Sequence, residues 1–156
     1  MFLSFFDKSL KLDPNNPIIY SNRGLVLRKL EKYDEAIEDY TKELENSDDF
    51  SNRSRILNNR AYCLAKTEQF ELAIDDYTFV LKSDPLNIHA FHNRGISYER
   101  IGKWLKAIND FRSVIEIDSE NANAYYNRGW CYDTIGELDL AIKDYSIALE
   151  LDTKTS

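Results

Sequence analysis

Four times in 156 residues an Asn is followed by an Arg and then Gly or Ala: Asn22-Arg23-Gly24, Asn59-Arg60-Ala61, Asn93-Arg94-Gly95 and Asn127-Arg128-Gly129. An Asn amide offers two donors and two acceptors. It can grip the N–H and C=O of an extended peptide whatever that peptide's side chains are. A guanidinium presents a flat fork of donors matched to carboxylates, on an aliphatic stem that can cover apolar surface. This is recognition chemistry, not bond-breaking chemistry. His89 and His92, three apart on one helix face, are the other candidates, but zinc asks for three or four protein ligands and no Cys lies nearby in sequence. No Gly-rich phosphate loop, nucleophile elbow or other catalytic signature is present. The expectation is a protein that is not an enzyme, with no cofactor and no metal.

The elements that position these residues follow from a period. The small residues Gly24, Ala61, Gly95 and Gly129 are spaced by 37, 34 and 34. Each is followed after 12 residues by Ala36, Ala73, Ala107 or Ala141, and four residues later by Tyr40, Tyr77, Phe111 or Tyr145. Each is preceded by four residues by Tyr20, Leu57, Phe91 or Tyr125. A long fixed period with several locked positions marks a stacked array. Turns are expected at Glu31-Lys32, Glu68-Gln69, Gly102-Lys103 and Gly136-Glu137, with DPNN (13–16) and DPLN (84–87) between repeats. Gly inside a helix costs about 1 kcal/mol relative to Ala. The reading is that a Cβ there would collide with the partner helix, with the Ala set as the reciprocal contact. A bulky residue at Ala107 should then overpack by about 1–3 kcal/mol.

These positions resemble the tetratricopeptide repeat (TPR) family over nearly the whole chain. The resemblance implies an all-α fold, a right-handed α-solenoid of antiparallel helix pairs (the TPR superhelix) with about nine helices, whose concave wall is lined by the first helix of each repeat. Residues 1–156 read as a single TPR domain: a half repeat 1–16, repeat 1 at 17–53 with a loop insertion in 48–53, repeat 2 at 54–87, repeat 3 at 88–121 and repeat 4 at 122–156. Phe2 stands where a second helix would carry its small Ala. Both array ends read as open, which allows self-association through Phe2, Phe5, Phe6 and the last helix.

Helix periodicity gathers one stripe on each first helix. By the resemblance it lines the groove. Asn22, Asn59, Asn93 and Asn127 form a ladder along it. Arg28, Lys29, Arg55, Lys66 and Arg100 are the basic contacts, and Leu25, Tyr62, Ile96, Tyr126 and Trp130 the apolar anchors. Segments 17–30, 54–67, 88–101 and 122–135 hold nine Lys/Arg and two Asp/Glu, a net +7 that leaves −14 for the rest of a chain at −7. A basic cleft on an acidic body selects an acidic partner. Arg23, Arg60, Arg94 and Arg128 read as braces toward the adjacent repeat, and Glu38-Asp39 and Asp75-Asp76 as surface charge.

The expected function is a non-catalytic scaffold that binds an extended, acidic peptide segment of another protein. The resemblance also points to clamping of chaperone C-terminal tails. Where that clamp wants Lys and Asn around its first small residue, this chain has Ser21 and Leu25, or Asn58 and Tyr62, so only a non-standard clamp is available. A third reading is single-stranded RNA stacked on Tyr62, Tyr126 and Trp130; net acidity disfavours nucleic acid. Cys63 and Cys131 hold equivalent positions two repeats apart, too far for a disulfide, and read as core fillers. No apolar run of 18 residues occurs and the start lacks a basic leader, so the expectation is a cytoplasmic protein without membrane contact.

Overall fold

Helix starts in this chain are written by a short motif. Asn16, Asn87 and Asn121 cap their helices, each Oδ1 accepting the N–H of Ile18, Ala90 or Ala124 at 3.0, 2.9 and 3.1 Å. The Nδ2 of each cap donates back to Asp13, Asp84 or Asp118. The Asp holds the Asn, and the Asn satisfies a helix N–H that would otherwise lack a partner. The computed structural model describes residues 2–47 and 52–154. Among them are nine α-helices and no strand: α1 (Phe2–Leu12), α2 (Pro17–Lys29), α3 (Tyr33–Asn46), α4 (Arg53–Lys66), α5 (Phe70–Ser83), α6 (Ile88–Arg100), α7 (Trp104–Ile117), α8 (Ala122–Thr134) and α9 (Leu138–Lys154). The N-cap of α4, Asn52, makes no side-chain cap bond. The insertion expected in 48–53 falls, apart from Asn52 and Arg53, outside the described residues.

The turns within repeats fall where expected and share one geometry. The N–H of Lys32, Gln69, Lys103 and Glu137 donates to the carbonyl of Leu27, Leu64, Tyr98 and Tyr132, five residues back. That closure requires the preceding residue to adopt a left-handed conformation. Glu31 and Glu68 do so at φ 58° and 61°, Gly102 and Gly136 at 71° and 84°. Only the glycines do it without steric cost.

The chain divides into two compact units, 1–83 (α1–α5) and 84–156 (α6–α9). In the first, Leu27, Ala36, Tyr40, Ile56 and Cys63 form a buried cluster. In the second, Ala107, Ile108, Phe111 and Cys131 do so. The in-helix glycines are explained by their neighbours. A Cβ on Gly24, Gly95 or Gly129 would stand 3.1, 2.8 or 3.0 Å from the ring of Tyr40, Phe111 or Tyr145. The nearest obstacle is thus the aromatic four residues beyond the Ala, not the Ala itself. Burial pushes the Cys63 and Cys131 thiols up to about 11 and about 12, so both stay protonated and inert.

Candidate functional site

The four arginines are clamped chiefly within their own repeats. Arg23, Arg60, Arg94 and Arg128 each donate two N–H bonds to an Asp sixteen residues on: Asp39, Asp76, Asp110 and Asp144, at 2.6–2.9 Å. All four carboxylates are buried. This corrects two expectations. The arginines brace mainly the hairpin they belong to, although Arg23 also reaches Asp7 on α1 and Arg60 reaches Thr41 on α3. Asp39 and Asp76 are not surface charge; of the two acidic pairs only Glu38 and Asp75 are exposed. The Asp110 carboxyl sits above its ordinary range because burial outweighs the Arg94 pairing. Burial opposes it, but the hydrogen bonds and charge of Asp110 raise the Arg94 guanidinium.

With these four removed, the net +7 shrinks and becomes uneven. On unit 1, Arg28 and Lys66 approach the Tyr62 ring, 5.6 and 5.4 Å from its centroid, and Tyr33 packs edge-on against that ring at 6.2 Å. Lys29 is exposed beside them. None of the three pairs with a carboxylate among the described residues, and neither α2 nor α4 contains an acid. Asn22 is exposed, and Asn59 and Leu25 are half-buried, on the same two helices. Arg55 differs from its group: it donates to Glu43 at 2.8 Å and touches Ser21 at 3.4 Å. Glu43 is 4% exposed, and its second carboxylate oxygen and the Tyr40 hydroxyl lack partners. The equivalent positions are Val80, Val114 and Ala148, so this buried pair occurs in one repeat only.

On unit 2 the same face is nearly neutral. Arg100 is its one exposed cation among the described residues, with Glu99 adjacent and Asp133 exposed on α8. Burial raises the Glu99 carboxyl, opposed by Arg100. Asn93 is half-buried, as is Ile96. Asn127 Nδ2 lies 3.5 Å from His92 Nε2, and the His92 ring stands edge-on to Phe111 at 5.7 Å. Burial, then the neighbouring His89, holds His92 below its usual 6.5. Tyr126 and Trp130 are exposed, and Tyr126 packs on Tyr145 at 5.5 Å between centroids. The four Asn thus lie two on each unit, and the cations left outside the clamps gather on the first.

Helix pairs clamped at a fixed period and stacked on one another define a helical-repeat fold. Family profiles place it: tetratricopeptide repeat profiles match residues 5–38, 100–132 and 122–154. The chain belongs to the tetratricopeptide repeat family, whose members bind other proteins. Among solved structures, MamA superposes with a TM-score of 0.87 at 24% identity, over 96% of this chain and 86% of that one. MamA from Desulfovibrio magneticus RS-1 gives 0.89 at 19%, over 97% and 84%. YrrB, described as a TPR protein with an unusual peptide-binding site, gives 0.87 at 26%, over 96% and 75%. A curated relative, Protein STIP1 homolog of Dictyostelium discoideum, is 44% identical over 46 residues, which is 30% of this chain and 8% of that protein's length. No helix among the described residues is long and apolar enough to cross a membrane.

Proposed function

We propose that the protein is a non-catalytic scaffold that holds an extended, acidic peptide segment of another protein against the first-helix faces. The observation that carries this reading is the face of α2 and α4, where Arg28 and Lys66 share the Tyr62 ring and Lys29 lies beside them with no acid on either helix. Cations already packed on a ring lose little side-chain freedom on binding, and an acidic side chain meets preset partners. Asn22 and Asn59 would take the peptide backbone and Leu25 an apolar side chain. On the second unit Asn93 and Asn127 supply the same amide chemistry, with Ile96, Tyr126, Trp130 and Arg100 around them. The description of YrrB as a peptide-binding TPR protein supports the class of ligand.

The test is calorimetric titration of acidic peptides against the wild type, the Asn59→Ala/Asn93→Ala pair and the Arg28→Ala/Lys66→Ala pair. Binding near micromolar, about −8 kcal/mol, is expected for the wild type. The Arg/Lys pair should weaken it about tenfold and flatten its salt dependence. Unchanged affinity in both variants sinks the proposal, and steep salt-dependent binding of single-stranded RNA without peptide binding would replace it.

A further inference from the structure

Three of the four clamp arginines carry an aromatic ring on the guanidinium. Arg94 lies 5.8 Å from the centroid of Phe91 and 5.7 Å from that of Tyr98. Arg128 lies 5.5 Å from Tyr125 and 5.9 Å from Tyr132, and Arg23 5.9 Å from Tyr20. These rings come from the positions three before and four after each arginine. At Arg60 the two positions hold Leu57 and Leu64, so neither supplies a ring. The edge of Arg60 is used as in the other repeats, on Asp76, and it also reaches Thr41. Its side chain keeps 22% exposure, against 16% and 15% for Arg94 and Arg128, whose repeats have the Tyr.

Space opens where the ring is missing. A pocket of about 350 Å³ beside Arg60, between α3 and α5, is lined by Ile37, Thr41, Leu64, Leu72 and Asp75. That is within the range of ligand sites. Two repeats on, Tyr132 stands in the place of Leu64 and packs against the cluster that contains Ile108, the counterpart of Ile37. The chain fills the slot itself where it has a Tyr. Beside Arg23, where the residue four on is Leu27, the slot measures about 140 Å³ and is entered by Leu3 and Asp7 of α1.

We propose that the slot beside Arg60 receives an aromatic side chain of a partner protein, carried next to a basic residue, with its ring stacked on the guanidinium as Tyr98 and Tyr132 are on theirs. The two bonds to Asp76 already hold that guanidinium in place, so stacking takes little freedom from it. Leu72, 54% exposed, gives the ring an apolar wall. The basic neighbour follows from charge. Asp75 is exposed in the lining, and Glu38 and Glu71, next in sequence to Ile37 and Leu72, are exposed too. Among the described residues the lining has no cation besides Arg60, itself matched by Asp76. In unit 2 the counterparts of Thr41 and Asp75 are Arg112 and Lys143, so the acidic rim belongs to this slot. None of its lining residues is among those assigned to the extended acidic peptide, so the two sites are separate.

The probe is the blocked tripeptide Lys-Tyr-Lys, with Lys-Ala-Lys as control, titrated into the full chain and followed by NMR of the amides and the arginine Nε–H groups. At millimolar concentration Lys-Tyr-Lys should move the Arg60 Nε–H by ring current, together with the amides of Thr41, Leu64 and Leu72, and Lys-Ala-Lys should not. Leu64→Tyr lets the chain fill its own slot and should weaken binding at least about tenfold. Leu72→Lys, an exposed change to the residue that repeat 3 has there as Lys106, removes the apolar wall and repels the probe; it should also cost about tenfold. The proposal is overturned if Lys-Ala-Lys gives the same shifts, if Lys-Tyr-Lys leaves the Arg60 Nε–H unmoved, or if binding is unchanged in Leu72→Lys or in folded Leu64→Tyr. Wild-type self-association in sedimentation that Leu72→Lys abolishes would overturn it as well, since the occupant would then be a second copy.

Discussion

Units 1 and 2 are built on one period yet solve two local problems differently. Where a hairpin turn demands a left-handed residue, unit 2 uses Gly102 and Gly136 and unit 1 uses Glu31 and Glu68. Where the second helix meets the next first helix, unit 2 buries Val114 and unit 1 buries Glu43 under Arg55. Both departures in unit 1 work against stability, and both lie near the face that carries Arg28, Lys29 and Lys66. Unit 2 keeps the cheaper solution and offers exposed aromatics instead. A repeat array permits this because each hairpin closes on its own terms.

The sharpest way to break the comparison is to move the buried acid. Val114→Glu gives unit 2 the acid without the arginine, since Asn123 stands where unit 1 has Arg55; a loss of about 3–4 kcal/mol in urea unfolding is expected, with partial rescue by Asn123→Arg. The mirror change, Glu43→Val, should be neutral or stabilising. A unit-blind effect comes next. Arg60→Ala and Arg94→Ala each strand a buried Asp and should cost a similar 2–4 kcal/mol, about the same in either unit. Turn residues should give opposite signs: Glu68→Gly should stabilise by about 0.5–1 kcal/mol and Gly102→Glu destabilise by about 1 kcal/mol, read as melting shifts of a few degrees. The smallest effect belongs to unit 2 alone. His92 is held below 6.5 when folded, so the unfolded chain takes up the proton first and stability falls as pH drops through and below 6.5. Urea midpoints at pH 7.5 and 5.0 should differ less in His92→Gln than in the wild type.

Much of the fold was legible because spacing survives in sequence: Gly24, Gly95 and Gly129 and their aromatic partners recur in register, and every expected hairpin turn is found. The Arg–Asp clamps were half legible. An Asp precedes the aromatic in all four repeats, at 39, 76, 110 and 144, but reading Glu38-Asp39 and Asp75-Asp76 as pairs hid a period that single residues carried. The charge count failed for the same reason, since it assigned clamp arginines to the ligand face. The Glu43–Arg55 contact was illegible, because it occurs once and joins two repeats, so no period announces it. The crowding of Arg28 and Lys66 around Tyr62 depends on side-chain direction, which spacing alone does not fix.

The Arg–Asp clamp also bears on how the chain reaches its fold. Its two partners are always sixteen residues apart, joined by one tight turn. The contact that locks each hairpin is therefore local, and closing so short a loop takes well under a microsecond. Low contact order favours fast folding, with hairpins able to form before neighbours dock. In hydrogen exchange, the amides of α6 and α7 joined by Arg94–Asp110 should open together, as one cooperative block.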